Sequence, residues 1–166
     1  MKALGLILLV SAIVAIPVLA VPAFAAQSSG PNAEVMATVD AALNAPVKGD
    51  MVLFRAQYAA DCVFADEFVP FFWSGPNALD RWLASGGRMY QETQHQDGKA
   101  TFGPALYVYV SGDVAFVVEP VEGQATVHGQ PYAQKGAFAF SLARIDGRWK
   151  ITSQTWTKAS ETMNPY

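Results

Sequence analysis

The sequence predicts an α+β domain in which three helices pack on an antiparallel sheet, and three observations carry that expectation. Apolar residues recur at helical spacing in most of the first half of the chain, up to residue 85. From residue 105 onward they alternate along strands separated by turn dipeptides. The length, 166 residues, suits a single domain with a sizeable core. Helices followed by a meander of strands is the pattern of an α+β fold.

The chain opens with Met1 and Lys2 and an uncharged run from Ala3 to Ala26 that ends in Ala23-Phe24-Ala25. One basic residue, an apolar core and a small-x-small site predict a signal peptide over residues 1–25, cut after Ala25. An uncleaved anchor is the alternative, because the run is long enough to span a bilayer at roughly 20 residues, although Pro17 and Pro22 oppose a straight spanning helix. Residues 26–32 are expected as a flexible leader and 33–160 as the folded domain.

Asn32 is a suitable cap for a first helix with Val35, Val39, Ala42 and Leu43 on one side. Lys48-Gly49 makes a turn, and Asp50 caps a second helix whose Leu53, Phe54, Gln57 and Tyr58 share a side. The stretch Tyr58 to Gly75 follows, with Cys62, Phe64, Asp66 and Phe68 on one strand face. Pro76 suits the first position of a third helix, with Ala78, Leu79, Trp82 and Leu83 as its buried stripe. Gly86-Gly87 interrupts that stripe, and the segment 88–98 is left open between helix and loop. Strands are expected over 105–110, 114–120, 124–128, 131–145 and 148–158, with turns at Ser111-Gly112-Asp113, Gly129-Gln130 and Asp146-Gly147. Phe138, Phe140 and Leu142 share one face, opposite Ala137, Ala139, Ser141 and Ala143.

Composition excludes several functions. A net charge of −3 lacks the basic footprint of a nucleic-acid binder. The single Cys62 forms no internal disulfide and reads as a small buried hydrophobe. His95 and His128 are isolated and lack metal-ligand spacing, so neither a metal nor a cofactor is expected.

The order of elements, the stretch Tyr58 to Gly75 and the ending Phe138 to Ile151 with its Gly-Arg-Trp-Lys-Ile resemble the NTF2-like superfamily, in particular its SnoaL-like and ketosteroid-isomerase-like branches. The resemblance implies a cone in which three N-terminal helices pack on a strongly curved antiparallel sheet around an internal pocket. It also implies a small-molecule ligand and a homodimer; membrane contact is expected only through the N-terminal segment, if that is uncleaved. Laid without gaps on this chain, the ketosteroid isomerase pattern puts its catalytic base on Asp66 and its two oxyanion donors on Ala42 and Ser141.

Asp66 is therefore the candidate catalytic residue, because a carboxylate in line with apolar neighbours is either paired or reactive. Its structural alternative is an ion pair with Arg81 or Arg88, or a hydrogen bond that holds the loop to Gly75. Trp73, Trp82 and Trp156 are candidates for a ligand cavity, with core packing as the competing role. Tyr107 and Tyr109, on one strand face, are candidate donors to an oxyanion. Glu119 lies in an otherwise apolar strand and is either a paired group or a pocket residue. Proton transfer beside a carbonyl and non-catalytic ligand or protein binding are the two functions this set supports.

Overall fold

The computed structural model describes residues 31–162, so the expected signal peptide and the leader up to residue 30 lie outside the described residues. Helix α1 (Pro31–Val47) starts at the end of that leader, and Val35, Val39, Ala42 and Leu43 form the expected buried stripe. Gly49, in the left-handed region, turns the chain, and the Asp50 carboxylate accepts the Leu53 N–H at 2.9 Å to cap α2 (Met51–Ala56). Only Phe54 is buried in α2. Leu53 is exposed because Tyr58, expected on its side, already belongs to strand β1 (Tyr58–Ala65).

Helix α3 (Ala78–Glu92) runs straight through Gly86-Gly87 instead of stopping there. A Cβ on Gly86 would stand 3.4 Å from the ring of Phe68, in ordinary van der Waals contact, so Gly86 lies on the face of the helix that packs on that ring. An Arg55–Asp80 ion pair joins α2 to α3 at the surface.

The remaining strands are β2 (Phe72–Trp73), β3 (Gln96–Phe102), β4 (Tyr107–Ser111), β5 (Val114–Val127), β6 (Gln130–Ile145) and β7 (Arg148–Glu161). They form one sheet in the order β2-β1-β7-β6-β5-β3, with β4 also paired to β5. This corrects the expected strongly curved antiparallel cone. The sheet is mixed, since β1 runs parallel to β7, and it is open, since the path ends at β2 and β3 without closing. Turn dipeptides force neighbouring strands to be antiparallel, and they do so for β5, β6 and β7. β1 carries no such constraint: it lies upstream of α3 and enters the sheet beside the final strand in the same direction.

Two expected strands, 114–120 and 124–128, are one strand. Pro120 has no N–H to lose, and its carbonyl accepts the Gly103 N–H at 3.1 Å. His128-Gly129 and Asp146-Gly147 both have positive φ at the two central positions, the signature of tight hairpin turns. The open segment 88–98 resolves into the end of α3 and the start of β3.

The core lies between the helices and one sheet face, where Phe64, Val117, Phe140, Leu142 and Ile151 meet Val35 and Val39. On the other face Tyr107, Tyr109, Val114 and Phe116 are exposed beside the small side chains of Ala139 and Ser141. Near the sheet's far end a Cβ on Gly136 would lie 2.3 Å from the Thr157 carbonyl oxygen and 2.5 Å from the Trp156 indole. Glycine at 136 thus lets that indole lie flat over β6.

Candidate functional site

The site forms where β1 ends. The parallel register sets Ala65 opposite Thr155, which brings the next residue, Asp66, level with Trp156. The chain then turns: the Phe71 N–H donates to the Phe68 carbonyl at 2.8 Å, and the Asp66 N–H to the Phe71 carbonyl at 3.1 Å. Asp66 therefore stands just past the strand, at the mouth of a tight loop.

Both carboxylate oxygens of Asp66 are engaged. The Glu67 N–H donates to Oδ1 at 2.8 Å, and the indole Nε1–H of Trp82 donates to Oδ2 at 2.9 Å. The ion pair that was one alternative for Asp66 is not formed: Arg81 donates to the Ser74 carbonyl, and Arg88 to the Ser85 hydroxyl at 2.8 Å. Burial pushes the Asp66 carboxyl up to about 6, against the hydrogen bonds from Trp82 and Glu67, and the Glu67 charge adds to the rise. Loss of solvent outweighs two good donors here because neither donor is charged.

A cavity of about 710 Å³ opens in front of this carboxylate, walled by α3, the inner face of the sheet and the loop after β1. Trp82 stacks on Phe64 with centroids 4.8 Å apart, and Tyr90 stacks on His95 at 4.4 Å. Phe138 and Trp156 meet at 5.0 Å and form the sheet wall. Burial raises the Tyr90 phenol, with the Asp66 and Glu67 charges acting the same way, and lowers the His95 imidazole. Beside them Lys158 bridges Glu67 and Glu161 at 2.6 Å each. Burial pulls that ammonium down, but its two carboxylate partners outweigh burial and raise it.

Of the expected site residues, Asp66, Trp82 and Trp156 come together on this cavity. Trp73 does not line it and is packed into the core against Phe68 at 5.2 Å. Tyr107 and Tyr109 stand exposed on the opposite face of the sheet, where neither reaches Asp66. Glu119 lies on the inner face, 4 % exposed, outside the cavity lining. Its Oε2 is buried without a hydrogen-bond partner. Burial and the Asp40 charge push the Glu119 carboxyl up to about 7. Cys62 is buried, and burial raises its thiol. No group of three His, Cys, Asp or Glu side chains among the described residues is arranged to hold a metal.

Tyr90, Tyr132 and Glu67, the last paired with Lys158, line the cavity but were not candidates. The helical stripe Trp82, Leu83, Gly86, Met89 and Tyr90 was the available signal, hidden because the Gly-Gly pair reads as a break.

A family model described as a SnoaL-like domain matches residues 35–156. Among solved structures, the chain is similar to a hexachlorocyclohexane dehydrochlorinase, LinA type 2, at 16% identity over 78% of this chain and 86% of that one, with a TM-score of 0.64. A ketosteroid isomerase-like protein from Erwinia carotovora atroseptica is 25% identical over 78% and 96% of the two chains, with a TM-score of 0.60. A putative scytalone dehydratase from Novosphingobium aromaticivorans is 14% identical over 78% and 85%, with a TM-score of 0.61. No curated protein sequence matches significantly.

Proposed function

The chain belongs to the SnoaL-like domain family, and from that premise we propose that its cavity binds a small, largely apolar organic molecule on which Asp66 acts as general base. The observation that supports this reading is a single one. Asp66 is fixed by Trp82 Nε1–H at the wall of an aromatic cavity, with its carboxyl pushed up to about 6, near the range that suits proton abstraction at neutral pH. A cavity of this size falls within the range of about 300–1,000 Å³ that holds small organic ligands.

Geometry shapes the role. Neither donor on Asp66 is charged, so the carboxylate keeps basicity that an arginine partner would remove. The Trp82 hydrogen bond fixes the orientation of the carboxylate, and the remaining lone pairs are available to a substrate C–H or O–H. A second reading, ligand binding without chemistry, is favoured by the same two bonds, which also explain Asp66 as the clasp of the loop.

Gly87 supplies the test. It lines the cavity on α3, and a Cβ there meets nothing within 4 Å. Leucine at this position should obstruct part of the cavity while favouring the helix by about 0.5–1 kcal/mol. Native mass spectrometry of the chain purified from its host is expected to show a retained organic molecule, absent from Gly87→Leu, with no fall in the melting temperature. Retention by the variant, or an empty parent, contradicts the binding role.

The N-terminal run supports a further proposal, export with cleavage after Ala25. Intact-mass analysis of the protein from the periplasm or medium checks it, and a species retaining Met1 contradicts cleavage.

A further inference from the structure

The walls and the charges of the cavity favour the same kind of ligand. Aromatic rings reach it from three elements: Trp82 and Tyr90 from α3, Tyr132 and Phe138 from β6, and Trp156 from β7. A ring face carries the negative part of the aromatic quadrupole and attracts a cation within about 6 Å of the centroid. A carboxylate acts in the same direction. Glu67 on the cavity is matched by Lys158 at 2.6 Å, so the carboxylate left to act on a ligand is that of Asp66. Asp66 receives hydrogen bonds from neutral donors, the indole of Trp82 and the backbone of Glu67. Lys99 and Asp97, both on the exposed strand β3, offset each other at the rim.

Trp82 joins the two features. One face of its indole is covered by Phe64, and its N–H is bonded to Asp66. A cation in the cavity would be drawn both to the aromatic rings that line it and to the carboxylate beside Trp82. An anion would be repelled by Asp66, whose hydrogen-bond donors are both neutral. A neutral apolar molecule would gain the ring contacts but would strip water from a carboxylate and give it no counter-charge.

We infer that the ligand class is an organic cation, a quaternary ammonium or protonated tertiary amine with apolar substituents, held in this aromatic-lined cavity beside the Asp66 carboxylate. The inference rests on the proposed cavity binding and is independent of whether Asp66 moves a proton.

Choline and 3,3-dimethylbutan-1-ol test it, because they share shape and hydroxyl and differ in the charge of the central atom. Each is titrated into the full chain at pH 8, followed by tryptophan fluorescence and by calorimetry. Choline is expected to bind about tenfold more tightly than the alcohol, the scale of one desolvated cation–π contact. In Asp66→Asn the preference should fall to about threefold or less, and in Gly87→Leu both ligands should be lost. Equal or tighter binding of the alcohol overturns the inference while leaving the cavity as an apolar binding site. Failure of both to bind the parent overturns it together with the binding role. An undiminished choline preference in a folded Asp66→Asn, checked by circular dichroism, overturns the assignment to this cavity.

Discussion

A Δ5-3-ketosteroid is expected to be isomerised at least about a hundredfold more slowly by this protein than by an enzyme with a complete oxyanion hole, although Asp66 occupies the position that the ketosteroid isomerase pattern gives to the base. The base moves the proton, but the dienolate oxygen must be held by donors, and the positions that align with them are empty of suitable groups. Ala42 lies on the buried stripe of α1 and is 2 % exposed, so it presents a methyl group with no donor. Ser141 pairs with Phe116 and Ser153 on the sheet face that points away from the cavity. Tyr107 and Tyr109 stand on that same outer face. Loss of one oxyanion donor costs about 10²–10³ in rate, or roughly 3–4 kcal/mol, and two losses need not add because such groups act as a unit. The measurement is turnover of 5-androstene-3,17-dione by the parent and by Asp66→Asn. Efficient, Asp66-dependent isomerisation would contradict the expectation and would point to Tyr90, a phenol on the cavity, as the group holding the oxygen.

Glu119 should make the protein less stable as pH rises from about 5 to 8. Its carboxyl is pushed up from 4.5 to about 7 in the folded state, so folding favours the protonated form. The resulting stabilisation is fully present below the unfolded value and is lost as pH climbs through the folded one. Each pH unit of separation is worth about 1.4 kcal/mol, which makes the swing about 3 kcal/mol. The cause is visible: an oxygen without a hydrogen-bond partner on a side chain only 4 % exposed, with Asp40 adding like charge. Glutamine keeps the shape without the titration. Urea unfolding of the parent and Glu119→Gln at pH 5 and pH 8 should give similar stabilities at pH 5 and a variant more stable by about 2–3 kcal/mol at pH 8. Asp66 titrates in both proteins and cancels from the comparison. Parallel pH dependences would refute the assignment of the swing to Glu119.

The legible parts of the fold were those written in local chemistry. The Asp50 cap, the buried stripe of α1 and the turn at Asp146-Gly147 each follow from a few adjacent residues. Strand β3 was illegible because six of its seven residues are exposed and leave no alternation to detect. The direction of β1 was illegible for another reason: period-2 patterning states which side chains share a face, but not which way a partner strand runs. The same limit explains the tyrosines. Tyr107 and Tyr109 do share a face, and only the packing of α1 and α3 on the other side of the sheet decides that theirs is the outer one. Asp66 was found because a carboxylate among apolar neighbours is anomalous in the sequence itself, whereas Tyr90 looks ordinary until α3 is known to continue past Gly87.

The place of β7 between β1 and β6 bears on how the chain comes to be made. Synthesis runs from the N-terminus, so β1 emerges early and its parallel partner emerges last. Until residues 148–161 are available, β1 has only the two-residue β2 beside it, and β6 shows an unpaired edge. The sheet cannot be completed on the ribosome strand by strand; it closes up around its final strand in one late, long-range step. It also follows that truncation within β7 would remove a central strand of the sheet, separating β1 and the Asp66 loop from the remaining strands.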